Sequence, residues 1–156
     1  MLVRYARALW GMGRPLFLVG ISPLYLLGVA SAWHDAGRIE RPWLLLAGLL
    51  EVWLVQLMTH YSNEYWDLET DLATRHPTRI SGGSRVLVRG TVPRAVARFA
   101  AVVCLGLAIA FGAILMGVLG GGVLVVAFVG LAIFAGWYYS TPPLNLKARG
   151  VGELAI

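Results

Sequence analysis

Asn63-Glu64-Tyr65-Trp66-Asp67-Leu68-Glu69-Thr70-Asp71 lies between apolar runs and holds four of the eight acidic residues of the 156-residue chain. Within it Asn63, Asp67 and Asp71 recur at i, i+4 and i+8. On a helix each four-residue step turns about 400°, so the three drift by only about 80° and share one face. Hard oxygen donors converging on one face suit Mg²⁺, which takes one or two carboxylates and completes its shell with water and substrate phosphates. The same pattern also fits a solvated helix end where a membrane span meets water, and the flanking sequence has to decide.

Outward from this stretch the chain is apolar. Hydrophobic residues make up 58% of it and charged ones 13%, a membrane-protein balance. Pro15–Trp33 and Phe99–Leu146 carry no Asp, Glu, Lys or Arg, and Pro42–Ser62 carries only Glu51. A span needs about 20 apolar residues. The pattern therefore predicts an all-α integral membrane fold with four transmembrane helices, near 14–33, 42–62, 97–119 and 122–140. Gly120-Gly121-Gly122 marks the turn between the last two, and 63–96 forms the motif loop. The runs of further spans make the first one a retained helix, and Ser31-Ala32-Trp33 is a poor cleavage site.

Basic residues orient these spans. Arg4, Arg7, Arg14, Arg75, Arg79, Arg85, Arg89, Arg94, Arg98, Lys147 and Arg149 fall on one side and only Arg38 and Arg41 on the other. The N-terminus and the motif loop are expected on the cytoplasmic side of a bacterial-type inner or plasma membrane. Orientation accounts for the +5 net charge, and the arginines lack interleaved aromatic stacking platforms, so no nucleic-acid partner is expected. Cys104, the single cysteine, lies in an apolar span and reads as a packing residue.

Individual positions carry further expectations. Residues 1–11 form an amphipathic lead-in at the membrane surface. Arg14 before Pro15 either snorkels to the interface or reaches a diphosphate at the cytoplasmic mouth. Pro23 should kink its helix. Gln56, Thr59 or His60, Asn63, Asp67 and Asp71 step by three or four and form a polar stripe. Glu51, deeper in the span, is either a protonated acid bonded to a neighbouring helix or a polar contact for a substrate. Arg79 and Arg85 flank Ser81-Gly82-Gly83-Ser84, where backbone N–H groups and guanidinium forks suit phosphate oxygens; the alternative is plain positive-inside charge. Ala108 and Gly112 have the small-xxx-small spacing of close helix approach. Trp137, Tyr138 and Tyr139 mark the returning interface, Thr141-Pro142-Pro143 a turn, and Lys147 stands where it can join the same anionic site.

The nonamer resembles the first aspartate-rich motif of the UbiA superfamily of intramembrane prenyltransferases, N-D-x-x-D-x-x-x-D, with Glu64 in place of the second-position Asp. Arg79–Arg85, Tyr139–Lys147 and, more loosely, Arg14-Pro15 with Pro23 and Gly28 are also similar to the family. The Tyr139–Lys147 and Ser-Gly-Gly-Ser stretches look most like its menaquinone and chlorophyll-synthase branches. The resemblance implies Mg²⁺ at Asn63, Asp67 and Asp71, and a polyprenyl diphosphate donor contacted by Arg14, Arg79, Arg85 and Lys147. It also implies a small aromatic, quinone-precursor acceptor within the lipid bilayer. It covers the first half of a nine-helix bundle whose second half carries another aspartate-rich motif. The chain thus reads as a fragment or split half, expected to be inactive unless a complementary C-terminal half joins it. The rival expectations are a small ion- or proton-coupled transporter subunit, with Glu51, His60, Asp67 and Asp71 along the path, and a non-catalytic membrane assembly module.

The orientation has a direct check. In a Cys104→Ala background, a cysteine replacing Arg89 should react with a membrane-impermeant maleimide only from the cytoplasmic side, and one replacing His34 only from the opposite side. Labelling of both from one side would overturn the topology.

Overall fold

The computed structural model describes residues 1–39, 41–78, 82–119 and 123–150. Among these the regular structure is helical, in the order α1 (Leu2–Met12), α2 (Pro15–Ala36), α3 (Trp43–Trp66), α4 (Leu68–Ala73), α5 (Arg94–Leu119) and α6 (Val123–Tyr138), with a short 3₁₀ turn at Leu146–Arg149. The expected Gly120-Gly121-Gly122 turn lies outside the described residues.

By length and composition, α2, α3 and Arg94–Val118 of α5 can cross a membrane. The fold is that of an integral membrane protein. α6 is described over 16 residues, inside the fourth expected span at 122–140. α2 starts with Pro15 in its first turn, where the missing N–H costs nothing. It continues through Pro23 without interruption, and it ends at Gly37 with φ +70°, a left-handed C-cap.

α3 is the hub and touches each of the other five helices. Its tie to α2 is polar: the Tyr25 hydroxyl donates to Leu45 O at 2.8 Å, and Trp53 Nε1 donates to Ser22 Oγ at 3.2 Å. Its contact with α5 is close because Ala108 and Gly112 are small; a Cβ on Gly112 would lie 3.1 Å from Glu51 Oε1 and 3.3 Å from Val129 Cγ1. The expected small-residue spacing does bring these helices together. α6 approaches α3 in the same way at Gly136, where a Cβ would overlap Thr59 Oγ1 and lie 3.1 Å from Met58 Cε.

The buried core sits at the motif end of the bundle. Ala8 and Met12 of α1, Met58 and Tyr61 of α3, Leu87 and Val92 of the connecting loop, and Ala97, Ala101 and Cys104 of α5 form one cluster. The amphipathic α1 lies against α3 and α5 there, with Tyr61 Oη donating to Leu9 O at 3.2 Å. Neither α2 nor α6 has a buried residue, as expected of surfaces that face lipid. The largest buried cluster therefore sits beneath the polar nonamer, and close packing continues along α3 at Gly112 and Gly136.

Gly136→Ala should lower the thermal midpoint of the detergent-solubilised protein, at an overpacking cost of about 1–3 kcal/mol. Gly130→Ala, on the same helix with no atom within 4 Å of the added Cβ, should leave it unchanged. Equal behaviour of the two variants would contradict the α3–α6 packing.

Candidate functional site

Asn63 and Glu64 occupy the last turn of α3, Asp67 is the junction residue, and Asp71 lies on α4. The nonamer, placed in a motif loop by the sequence and read there for its helical spacing, is helical but divided in two at Asp67. The face is preserved all the same, because Asp67 N–H bonds Asn63 O and Asp71 N–H bonds Asp67 O, both at 2.8 Å. These are i→i−4 bonds, so the α register runs through the bend.

Each acidic residue then meets a different neighbour. Glu64 is 2% exposed. Its Oε1 accepts from Arg14 Nη2 at 2.9 Å and from the Ser84 backbone N–H at 2.7 Å, and its Oε2 accepts from Ser84 Oγ at 2.7 Å. The longer arm of Glu at this position reaches both α2 and the glycine loop. Asp67 Oδ1 pairs with Lys147 Nζ, and Asp67 Oδ2 accepts from Ser140 Oγ at 3.3 Å. Asp71 lies under the loop. At Gly83 (φ +71°) a Cβ would overlap Asp71 Oδ2, so glycine is needed both for the left-handed backbone and for the contact.

The cations expected at a phosphate are committed to these acids. Arg14 binds Glu64 and so does not snorkel freely, Lys147 binds Asp67, and Arg85 donates to the Asp71 backbone carbonyl. Arg79 lies outside the described residues. Arg94 is occupied too: its Nε donates to Tyr65 O at 2.9 Å, and its guanidinium sits 4.4 Å from the Tyr65 ring centroid.

The turn beyond α6 closes the site. Asn145 adopts φ +42°, its N–H bonds Thr141 O at 3.0 Å, and the Lys147 N–H bonds Tyr139 O at 3.1 Å. A buried contact of 2.8 Å between the Ser62 and Thr141 hydroxyls holds this turn on α3. Of the remaining polar stripe, Thr59 bonds its own helix at Val55 O. His60 is buried against the Phe17 ring, with centroids 5.6 Å apart. Glu51 is buried on the α5–α6 side, away from the cluster. Sequence reasoning missed Ser84 and Ser140 as partners of the acids, and took Glu64 for a mere variant of Asp.

Two features bear on a cation. Asn63 Oδ1 is buried and has no hydrogen-bond partner among the described residues, an unusual state for a buried carbonyl oxygen. The Asp71 carboxyl is pushed above the usual carboxylate range by burial and then by the charges of Glu64 and Asp67, against the opposing pull of Arg14 and Lys147. Among the described residues no three His, Cys, Asp or Glu side chains form a metal-holding group. One amide oxygen and two carboxylates, one already paired with lysine, fit a cation that shares its shell with water and substrate oxygens rather than one caged by protein.

The fold and this cluster define a polytopic helical membrane protein with a buried charged site at one end of its spans. The model of the UbiA prenyltransferase family matches residues 22–156, and the chain belongs to that family. The match takes in the nonamer, the glycine loop and the Tyr139–Lys147 turn, and begins after Arg14. No curated protein and no solved structure matches the chain. Family members are generally intramembrane prenyltransferases that typically use Mg²⁺, a polyprenyl diphosphate and an aromatic acceptor, which sets the coarse enzyme class here.

Glu64→Ala should destabilise the fold by about 1–3 kcal/mol, because it leaves the half-buried Arg14 guanidinium and the Ser84 donors without their partner. Glu64→Asp should keep part of that stability but lose the simultaneous grip on Arg14 and Ser84. Hydrogen exchange over residues 82–90 would register the loss as faster amide exchange in both variants; wild-type protection in Glu64→Ala would contradict the latch.

Proposed function

We propose that the chain takes part in the transfer of a polyprenyl group from its diphosphate to an aromatic, quinone-precursor acceptor within the membrane, with Mg²⁺ held by Asn63, Asp67 and Asp71. The observation that carries this reading is the unpartnered, buried Asn63 Oδ1 on the same helical face as two carboxylates, one of them held above its usual titration range. Donors in that state favour a cation in their midst.

When bound, the ion supplies Lewis-acid charge neutralisation at the departing diphosphate. The chain's own residues do the rest. Arg14, Arg85 and Lys147 surround the carboxylates, and Arg79 belongs to the same loop. Lys147, paired with Asp67, and Arg85, bonded to the Asp71 backbone carbonyl, would be placed to turn toward phosphate oxygens if Asn63, Asp67 and Asp71 held the ion. The Gly82-Gly83 segment, pinned through Ser84, holds backbone N–H groups beside the site. The apolar tail lies along the spans, so the surrounding lipid-facing helices exclude water from the allylic centre. The resemblance of Tyr139–Lys147 and the Ser-Gly-Gly-Ser loop to the menaquinone and chlorophyll-synthase branches supports a quinone-pathway acceptor. A cation pathway is less well supported, since the acids cluster at one end of α3 and Glu51 is turned to another face.

Asp67→Asn combined with Asp71→Asn, assayed in native membrane vesicles with geranylgeranyl diphosphate, should reduce Mg²⁺-dependent prenyl transfer by at least about 100-fold. The thermal midpoint should fall modestly, because Asp67→Asn leaves Lys147 without its ion-pair partner, so transfer is compared at a temperature where both proteins are folded. In the wild type, Mg²⁺ affinity should fall as the pH drops through the raised Asp71 titration, because a protonated carboxyl cannot ligate, whereas an ordinary aspartate would hold on to about pH 4. Unchanged donor binding in the double variant would leave only the module reading, and proton- or cation-coupled flux without donor binding would favour the transporter.

A further inference from the structure

One cavity lies apart from the acid cluster. A groove of about 670 Å³ runs between α1 and α5, lined by Tyr5 and Leu9 of α1, Tyr61 of α3, and Val96, Phe99 and Val103 of α5. That is the size of a small-molecule site, about 300–1,000 Å³. Its lining is aliphatic and aromatic, and the Tyr61 hydroxyl is already spent on Leu9 O. On α5 the lining extends from Ala95 to Cys104, a rise of about 14 Å, which stays within one leaflet's half of a hydrocarbon core of about 30 Å.

Direction around α3 separates this groove from the candidate metal site. Each helical residue turns about 100°, so Tyr61 and Asn63 point about 200° apart. Tyr61 packs into the cluster formed with α1 and α5, while Asn63 shares the other face with Asp67 and Asp71. A chain lying in the groove therefore has α3 between itself and the acids. Its occupant is not the tail of a diphosphate bound there.

The rim sets the charge of the occupant. Arg4 precedes Tyr5 and Arg98 precedes Phe99; both arginines are exposed. Each guanidinium lies 5.7 Å from a tyrosine ring centroid, Arg4 at Tyr5 and Arg98 at Tyr65. Stacking on a ring leaves the planar N–H fork available to a phosphate. Among the described residues neither arginine pairs with an acid, and residues 1–34 and 72–152 contain no Asp or Glu. α1 also exposes Leu2, Val3 and Trp10, so it combines basic and apolar flanks as a helix in the interface plane does. An apolar groove at membrane depth under a cationic rim complements a molecule with a long apolar chain and an anionic head.

We infer that the α1–α5 groove binds one acyl chain of an anionic phospholipid from the surrounding leaflet, with Arg4 and Arg98 holding its phosphate. The lipid fastens the amphipathic α1 onto α5. A zwitterionic lipid offers the same chain and phosphate, but its ammonium opposes the arginines, so charge selects between them. The site is independent of the proposed prenyl transfer.

The test uses the intact protein, delipidated in detergent, with native mass spectrometry and with phosphatidylglycerol and phosphatidylcholine of identical acyl chains as probes. One phosphatidylglycerol should bind per chain, with a Kd at least about tenfold below that of phosphatidylcholine, and should raise the thermal midpoint. Arg4→Gln combined with Arg98→Gln, both at exposed positions, should bring the phosphatidylglycerol Kd up to the phosphatidylcholine value. Val103→Trp, which fills the groove from a position 41% exposed, should weaken both lipids. Phosphatidylglycerol with a diazirine in one acyl chain, added at one per protein, should cross-link within residues 1–12 or 95–104. Equal affinities for the two lipids, wild-type affinity in the arginine double variant, or cross-links confined to other segments would overturn the site. Displacement of phosphatidylglycerol by geranylgeranyl diphosphate would overturn it too, by giving the groove to a prenyl chain. If Val103→Trp folds poorly, the arginine variant and the cross-links still decide.

Discussion

The arrangement at the site depends on one buried carboxylate. Glu64 joins the residue that caps the start of α2 through Arg14, the end of α3 through its own backbone, and the glycine loop through the backbone N–H and hydroxyl of Ser84. These segments lie far apart in sequence, and the buried apolar cluster beneath them does not specify their register to an ångström. A charge removed from water must be matched closely by hydrogen bonds or it is destabilising. That requirement sets the position of the loop over Asp71 and the direction of Arg14. A glutamate serves here because the carboxylate has to reach beyond its own helix.

A second consequence is that the site is neutralised before any ligand arrives. Lys147 takes Asp67, Arg14 takes Glu64, and Asp71 is left under Gly83 with its charged form disfavoured. At the edge of a low-dielectric slab, an uncompensated acidic cluster would be costly. Pairing the acids with the cations that a diphosphate also needs keeps the resting state stable and holds both sets of groups near one place. In the proposed reaction, exchange of partners rather than assembly of new elements would be the conformational work of binding.

Much of this was legible in the chain. The uncharged runs Pro15–Trp33 and Phe99–Leu146 marked the spans, since a bilayer imposes a length and an apolarity that few soluble helices share. The i, i+4, i+8 spacing of Asn63, Asp67 and Asp71 survives the bend because the backbone bonds across it remain α-helical. Ala108 and Gly112 signalled close helix contact, and α5 does pack closely on α3 there.

What the sequence determined by itself is the class: membrane-crossing helices, and an acidic face at the end of one of them, both consequences of local periodicity and composition. Only the tertiary structure decided who partners whom. Arg14 and Ser84 meet Glu64 from positions 50 and 20 residues away, and Ser140 meets Asp67 across 73. No local propensity encodes such pairs. Identical residue types could have pointed into water, and it is packing of α2, the loop and the post-α6 turn around α3 that buries them and makes their hydrogen bonds obligatory.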